Sequence, residues 1–447
     1  MKFRKLLSLV MVVAMVLSLL AMAGCGNDDD YYGDSGSDTE DEFFADMPEE
    51  LRGTKVQFAT WIDHEATETS NTLRGFERET GMDIEITAVP QASYLQKISS
   101  LIAADEAPDV IVENSGFPTT LSVLAPLSWE ENCIDPKDPF WDQGITELST
   151  VGNETYLVIA ANSTWNMVGA YVLYNKTSLV ENGIKTPLEL YEENNWNLDT
   201  FISTLRQMKQ RYLQNEEPAI VAVGHVLDMF GAAQIKRNKE TGLLENGLRS
   251  PEALAALQWC VKYKDEGLFD LSNDQGNAMR YGGMLLGGAY SLRSKPGWFY
   301  DDDWRDYEAV VLPKINATDE EYPKTCTSRA YGICKAAKNP KGGGYFLRYF
   351  LNGDNYDLNE VFKNEMCKNM FLDLRDKYMD YNDLEIAYGI YSVVSPDVGT
   401  AAGGVLRSIK KASYAQLGTE LSKGQNVVDA AVAKGNEYFA QIIAQQQ

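Results

Sequence analysis

The sequence predicts an α/β fold, an open and mainly parallel sheet with helices on both faces. Three runs and the segments between them carry the prediction. Lys55–Trp61 (KVQFATW) and Ile84–Val89 read as strands, and Asp109–Val112 behind Pro108 reads as a short buried one. Between the first two, Glu65–Thr80 has helical composition and stops at Gly81, the residue that most readily turns left-handed past a helix end. Between the second and third, Ser93 stands as an N-cap with Gln96 three residues on, and Leu95, Ile98, Leu101 and Ile102 form an inner stripe. A β-α-β-α-β order this compact makes parallel pairing the expected outcome. Ligands of such sheets sit beyond the carboxyl ends of the strands, which here carry Trp61, Asp63 and Asn114-Ser115-Gly116.

Further along, Val168–Tyr174 reads as a strand, Leu198–Gln214 as a long helix, and Ser250–Glu266 as a helix with Pro251 at its first position. The glycine-rich "YGGMLLGGAYSLR" at 281–293 interrupts the pattern and suits close approach of backbone to backbone or ligand. The last third returns to helices and ends in a long one from about Val427.

The 447 residues suffice for two domains, and a hydrophobic content of 44% supports a packed core. A formal net charge of −25 excludes a nucleic-acid-binding surface. At the N-terminus Lys2, Arg4 and Lys5 precede the apolar run Leu6–Ala23, and small residues lead to Cys25, the pattern of a secretory signal. A transmembrane anchor is the alternative, at the lower edge of the length needed to span. Residues 27–50 hold eleven Asp or Glu and no Lys or Arg, so the segment is expected to stay extended, a tether reaching at least about 25 Å.

Five further cysteines, Cys133, Cys260, Cys326, Cys334 and Cys367, include no CxxC pair, and there are two histidines. No metal site is expected from that set. Buried free thiols are the expectation, with a Cys326–Cys334 pair left open. No cofactor motif is present: the chain lacks G-x-S-x-G, a P-loop, HExxH and G-x-G-x-x-G.

Met22-Ala23-Gly24-Cys25 resembles the lipobox of bacterial lipoproteins, with Met where Leu is usual; the resemblance makes Cys25 a lipid-attachment site and 1–24 a removed signal. Five ordered stretches resemble the family 1 extracellular solute-binding proteins, the sugar-binding receptors of ABC importers. They are "FATWIDHEATETSNTLRGFERETGMDIEITAVPQASYLQKISSLIAADEAPDVIVENS", "GAYVLYNKTSLVENGI" with "NNWNLDTF", "GGMLLGGAYSLR" with "YEAVVLPK", "SRAYGICKAAKNPKGGGYFLRYFL", and "GTELSKGQNVVDAAVAKGNEYFAQI". The likeness covers nearly all of residues 54–445.

The resemblance implies a two-lobed periplasmic-binding-protein-like (type II) fold, closing over ligand about crossing strands. Carried over, the crossings fall near Ile159–Ser163 and Asn316–Ser328. One lobe then takes 51–160 and 323–375, the other 161–322 and 376–447. It further implies a monomeric binding protein and not an enzyme, held outside the cell membrane by Cys25, with a carbohydrate as ligand and permease subunits as partners. A lipid-anchored glycan-degrading enzyme and a same-fold receptor for a non-sugar solute are the alternatives.

A sugar presents a flat C–H face and a ring of hydroxyls, so its site needs aromatic platforms and planar polar groups. By the resemblance Tyr290 takes the place of the family's stacking aromatic, and a core tyrosine is the competing role. Trp165 either stacks or plugs the lobe boundary, with Asn162 beside it at a polar contact position. Asn114 and Ser115 either meet hydroxyls or cap a helix, and Trp61 and Asp63 stand at the end of the first strand, Asp63 either accepting hydroxyls or capping. His225 and Asp228 in "AVGHVLDMF" lie where the second lobe lines the cleft. Arg329 is a contact or half of a surface ion pair, and Trp298, with Phe299 and Tyr300, widens the platform. Trp129, Trp141, Trp196, Trp259 and Trp304 are assigned to packing.

Overall fold

The computed structural model of the chain describes residues 42–45, 47–61, 69–113, 119–127, 132–164, 167–168, 171–213, 220–222, 226–238, 240–270, 283–287, 306–323, 326–327, 330–362, 365, 367–369, 371–372, 387–388 and 408–446. The main unit begins at Pro48; ahead of it, Glu42–Ala45 makes one helical turn. The signal, Cys25 and most of the acidic tether lie outside the described residues. The end of that acidic stretch is not extended throughout: Glu49–Leu51 forms a 3-10 turn anchored by buried Leu51.

The unit from Pro48 onward contains two main sheets and a smaller one. The first sheet has the order β15-β3-β1-β2, with β1 at Lys55–Thr60, β2 at Asp83–Ala88, β3 at Val110–Val112 and β15 at Tyr331–Ile333. As expected, β1 runs parallel to both β2 and β3, while β15, arriving from far along the chain, is antiparallel to β3. All three β3 residues are buried, which is why so short an apolar run suffices.

Helix α1 (Ser70–Thr80) ends where Gly81 turns left-handed at φ 70°, its N–H donating to the Glu77 carbonyl at 2.9 Å. The stretch from Glu65 that was expected to begin this helix lies partly outside the described residues. Helix α2 (Tyr94–Ala103) starts at the expected place, but the Ser93 side chain does not cap it. Its buried face is Tyr94 with Ile98, while Leu95, Leu101 and Ile102 are half-buried. The stripe is shifted because Tyr94 also serves polar groups. Its hydroxyl donates to Ala59 O at 2.6 Å and accepts from Val112 N at 3.2 Å, joining the ends of β1 and β3. Burial keeps this phenol protonated far above its usual range.

Helix α8 (Pro340–Leu351) covers the sheet. Asn339 caps it by accepting from Gly342 N at 3.0 Å, with Pro340 at the first turn. Its Phe346 and Phe350 pack with Phe58 of β1, at ring separations of 5.4 and 5.5 Å, and Phe346 also meets Phe76 of α1 at 5.4 Å. Asp109, just before β3, accepts from Gln57 N at 2.9 Å and Asn339 N at 2.6 Å, so one buried carboxylate ties the strand pair to the helix start. Burial raises its pKa despite those donors.

After the first sheet come helix α3 (Gln143–Leu148), capped by Asp142, and a hairpin of β4 (Thr150–Val151) and β5 (Glu154–Thr155). The second sheet has the order β11-β8-β12-β7-β13, with β7 at Tyr171–Asn175, β8 at Ile220–Ala222, β11 at Phe269–Asp270, β12 at Met284–Gly287 and β13 at Tyr307–Val311. β8 is parallel to its neighbours, and β7 is antiparallel to β12 and β13. The glycine-rich stretch thus supplies a central strand.

Around this sheet, Asn175 caps α4 (Lys176–Glu181), and Thr186 with Glu189 forms a reciprocal capping box opening α5 (Pro187–Glu192). Asn197 caps α6 (Leu198–Met208), which runs on as a π turn to Leu213. The "NNWN" start is explained by Trp196, fully buried with its indole N–H on Val311 O at 2.8 Å. Helix α7 (Pro251–Asp265) carries the Ser250 cap. The side chains of Trp141 and Trp196 are buried, as their packing assignment expects, and Trp259 stacks on Phe201 at 6.1 Å. Trp129 and Trp304 lie outside the described residues.

A hairpin of β9 (Ile235–Arg237) and β10 (Leu244–Asn246) follows β8. The smaller sheet sets β14 (Cys326–Thr327) between β6 (Met167–Val168) and β16 (Ala387–Tyr388). The last helix, α9, spans Leu417–Gln445 and so begins ten residues before the expected Val427. Leu417, Leu421, Gly424, Val428, Ala431, Gly435 and Phe439 make one continuous buried stripe that carries the helix through its glycines. Cys133, Cys260 and Cys334 are free thiols, which removes the Cys326–Cys334 pairing.

Candidate functional site

The parallel strands β1 and β3 end together, placing Trp61 and Glu113 at one edge of the first sheet. Trp61 is half-buried, its ring edge-on to Tyr94 at 5.3 Å and 89°. Tyr94 is itself fixed by the two strand ends, so the indole is held by a rigid neighbour. Glu113 is buried, with its N–H on Ala330 O at 2.8 Å. Glu113, a carboxylate closing an all-apolar strand, is not among the residues expected from the sequence.

Asn162 sits in the turn that follows Ile159 and Ala160. Val158 exchanges backbone hydrogen bonds with Tyr331 of β15, and Ala161 N donates to Phe140 O, so this passage rests on the first sheet. The Asn162 amide donates to Asn352 Oδ1 at 2.8 Å and accepts from Gly353 N at 3.1 Å. Its side chain is therefore engaged across the end of α8. Lys314, near the start of the expected second crossing, is buried. It exchanges backbone bonds with Trp196 and Leu198, and its ammonium reaches Asn194 Oδ1 at 2.8 Å.

Asp228 opens a 3-10 turn and is 4% exposed. Buried Lys410 feels its charge and that of Cys260: burial lowers the lysine pKa, and the two acidic groups act against that. A carboxylate in this setting balances an interior cation. Each described candidate is thus engaged with its own surroundings, Trp61 with Tyr94, Asn162 with Asn352, and Asp228 near Lys410. Asp63, Asn114, Ser115, Trp165, His225, Tyr290, Trp298 and Arg329 lie outside the described residues. A cavity of about 260 Å³ lined by Lys185, Leu190, Thr200, Ser203, Thr204 and Gln207 lies between α5 and α6, apart from the strand ends.

Residues 72–358 match the family described as bacterial extracellular solute-binding protein. The chain belongs to that family. This solute-binding protein is 25% identical over 279 residues to Lipoprotein LipO of Bacillus subtilis (strain 168). The match takes 58% of the chain and 50% of LipO, so the chain spans about half the length of the curated relative it matches.

Among solved structures, the sugar-binding protein MalE of Xanthomonas citri superposes with a TM-score of 0.61 at 15% identity, covering 87% of this chain and 99% of MalE. UgpB of Mycobacterium tuberculosis, solved with glycerophosphocholine, gives 0.62 at 14%, covering 84% and 98%. The galacto-N-biose/lacto-N-biose I-binding protein of Bifidobacterium longum, solved with lacto-N-biose, gives 0.61 at 12%, covering 86% and 98%. The solute-binding protein therefore has the two-lobed type II periplasmic-binding-protein fold that its sequence predicts.

Proposed function

We propose that this solute-binding protein is the extracellular, lipid-anchored receptor of an ABC importer, capturing a carbohydrate between two lobes that close about a hinge and delivering it to the permease. The observation that carries the reading is the family match across residues 72–358. The lobes would hold 51–160 with 323–375, and 161–322 with 376–447. In support, the first sheet draws its strands from 55–112 and 331–333, and the second from 171–311. In the small sheet, β14 would be part of the second passage between lobes, with β6, just past the first passage, paired to it. Trp61, braced by Tyr94, would offer an aromatic platform, with Glu113 an acceptor near it and Tyr290 the stacking partner from the second lobe.

Sugar would bias an open–closed equilibrium by touching both lobes only when they are closed. Cys25 would keep the cargo at the membrane while the acidic tether lets it move.

The test is a panel of glucose, lactose, maltotriose and glycerophosphocholine, followed by melting temperature and product analysis, with membrane fractionation for the anchor. At least one carbohydrate is expected to raise Tm without releasing product, because ligand stabilises only the folded form. Released product would establish the enzyme reading. A shift with glycerophosphocholine alone would establish a non-sugar receptor. With the active carbohydrate, Tyr290→Ala is expected to weaken calorimetric affinity by at least about tenfold, as loss of a stacking platform does. Unchanged affinity would make Tyr290 a core residue.

A further inference from the structure

Helix α9 is tied along its length to the β9–β10 hairpin. Asn436 accepts from Leu244 N at 2.8 Å and donates to Leu244 O at 3.0 Å. Asp429 takes Arg249 as an ion pair and accepts from Asn246 Nδ2 at 2.8 Å. At its far end the helix meets other elements. Gln446, one residue beyond α9, donates to Val151 O at 2.9 Å and Tyr156 Oη at 3.3 Å, and accepts from Asn153 N at 3.2 Å. The β4–β5 turn is shaped for it: Gly152 has φ 64°, and a Cβ there would lie 2.1 Å from Gln446 Oε1.

A second tie runs in parallel. Arg237 of β9 donates through Nη1 to Glu147 O at 2.9 Å and Leu148 O at 3.1 Å, capping the carbonyl end of α3. Its Nε holds Gly242 O at 2.9 Å, and Phe439 of α9 lies 5.4 Å from the guanidinium carbon. From Asp429 to Gln446 the helix is a strut of roughly 25 Å, one end on β10 and the other on the β4–β5 hairpin.

We infer that α9 is a strap between the lobes, and that its outer end, Gln446 together with Arg237, sets the resting angle of the hinge. The inference rests on the two-lobe reading above, which assigns β9 and β10 to one lobe and α3, β4 and β5 to the other. The outer contacts suit adjustment, since they are side-chain bonds to backbone groups and a phenol, for which water substitutes at small net cost. Such a joint biases an equilibrium without welding it, and apparent affinity scales with the population of the competent state.

The full-length protein carries spin labels on ketone amino acids replacing Lys97 of α2 and Val180 of α4, both exposed and in opposite lobes by that reading. Pulsed resonance then reads the distance distribution without ligand, for the parent and for Arg237→Met with Gln446→Ala. The severed variant is expected to shift its mean, or widen its spread, by more than the parent's width at half height. Should Arg237→Met fail to fold for want of the α3 cap, Gln446→Ala alone carries the test, with a smaller shift in the same direction.

Each protein is also measured with glucose, lactose and maltotriose. If a glycan moves the parent distance while the severed variant superimposes on the parent, the strap is refuted and the two-lobe reading stands. If neither glycans nor severing moves the distance, both fall.

Discussion

Phe346→Ala is expected to cost about 4 kcal/mol of folding stability, the scale for deleting a fully buried aromatic ring. Phe346 is inaccessible to solvent and stands where α8 meets both β1 and α1, with ring separations of 5.4 Å to Phe58, 5.4 Å to Phe76 and 5.1 Å to Phe350. Helix α8 is also held close by Gly344, where a Cβ would lie 1.6 Å from Asn132 O, so neighbours on that side have little freedom to collapse into the gap. Equilibrium urea unfolding measures the loss as a lower midpoint at unchanged slope. A change below about 1 kcal/mol would mean that the cluster relaxes around the missing ring.

The second large effect is expected at Gly353, where an added Cβ would stand 2.0 Å from the Asn162 carbonyl oxygen and 3.0 Å from its carbon. Both atoms are backbone, so no side-chain rotation relieves the contact, and Gly353→Ala should cost about 3 kcal/mol as overpacking does. The displaced segment is the one that the family resemblance implies as the first crossing. The amide bonds from Asn162 to Asn352 and Gly353 would part with it. Asn162→Ala removes those bonds without the clash and should cost less, about 1–2 kcal/mol. Urea midpoints for the two variants order them; equal stability of Gly353→Ala and the parent would show that the joint is loose.

The likeness to a solute-binding fold was legible from the five ordered motifs, because each repeats a local solution with few alternatives. A strand closed by a capping asparagine is one, as Tyr174-Asn175-Lys176 shows, with Asn175 accepting from Ser178 N at 2.8 Å. Pro340 behind the Asn339 cap is another. The site was less legible. Trp61 stands at a strand end, while Asn162 and Asp228 are implied by the family resemblance, and a polar or aromatic residue at such places suits ligand contact and interior support equally. Asp228 is buried, with its charge acting on buried Lys410, and Asn162 is bonded to residues about 190 positions away.

By itself the sequence determined the parallel core of β1, β2 and β3, the Gly81 stop of α1, the starts of α2 and α7, and the strand ends where a ligand of such a sheet would sit. These follow from periodicity and from backbone groups satisfied within a few residues. Only the tertiary structure decided that Tyr94 bolts two strands and braces Trp61, that a glycine-rich stretch runs through the middle of the second sheet, and that α9 starts at Leu417 and ends clasped to a distant hairpin. Those outcomes depend on partners tens to hundreds of residues apart, and a side chain's type states what it is able to bond without naming which distant group it meets.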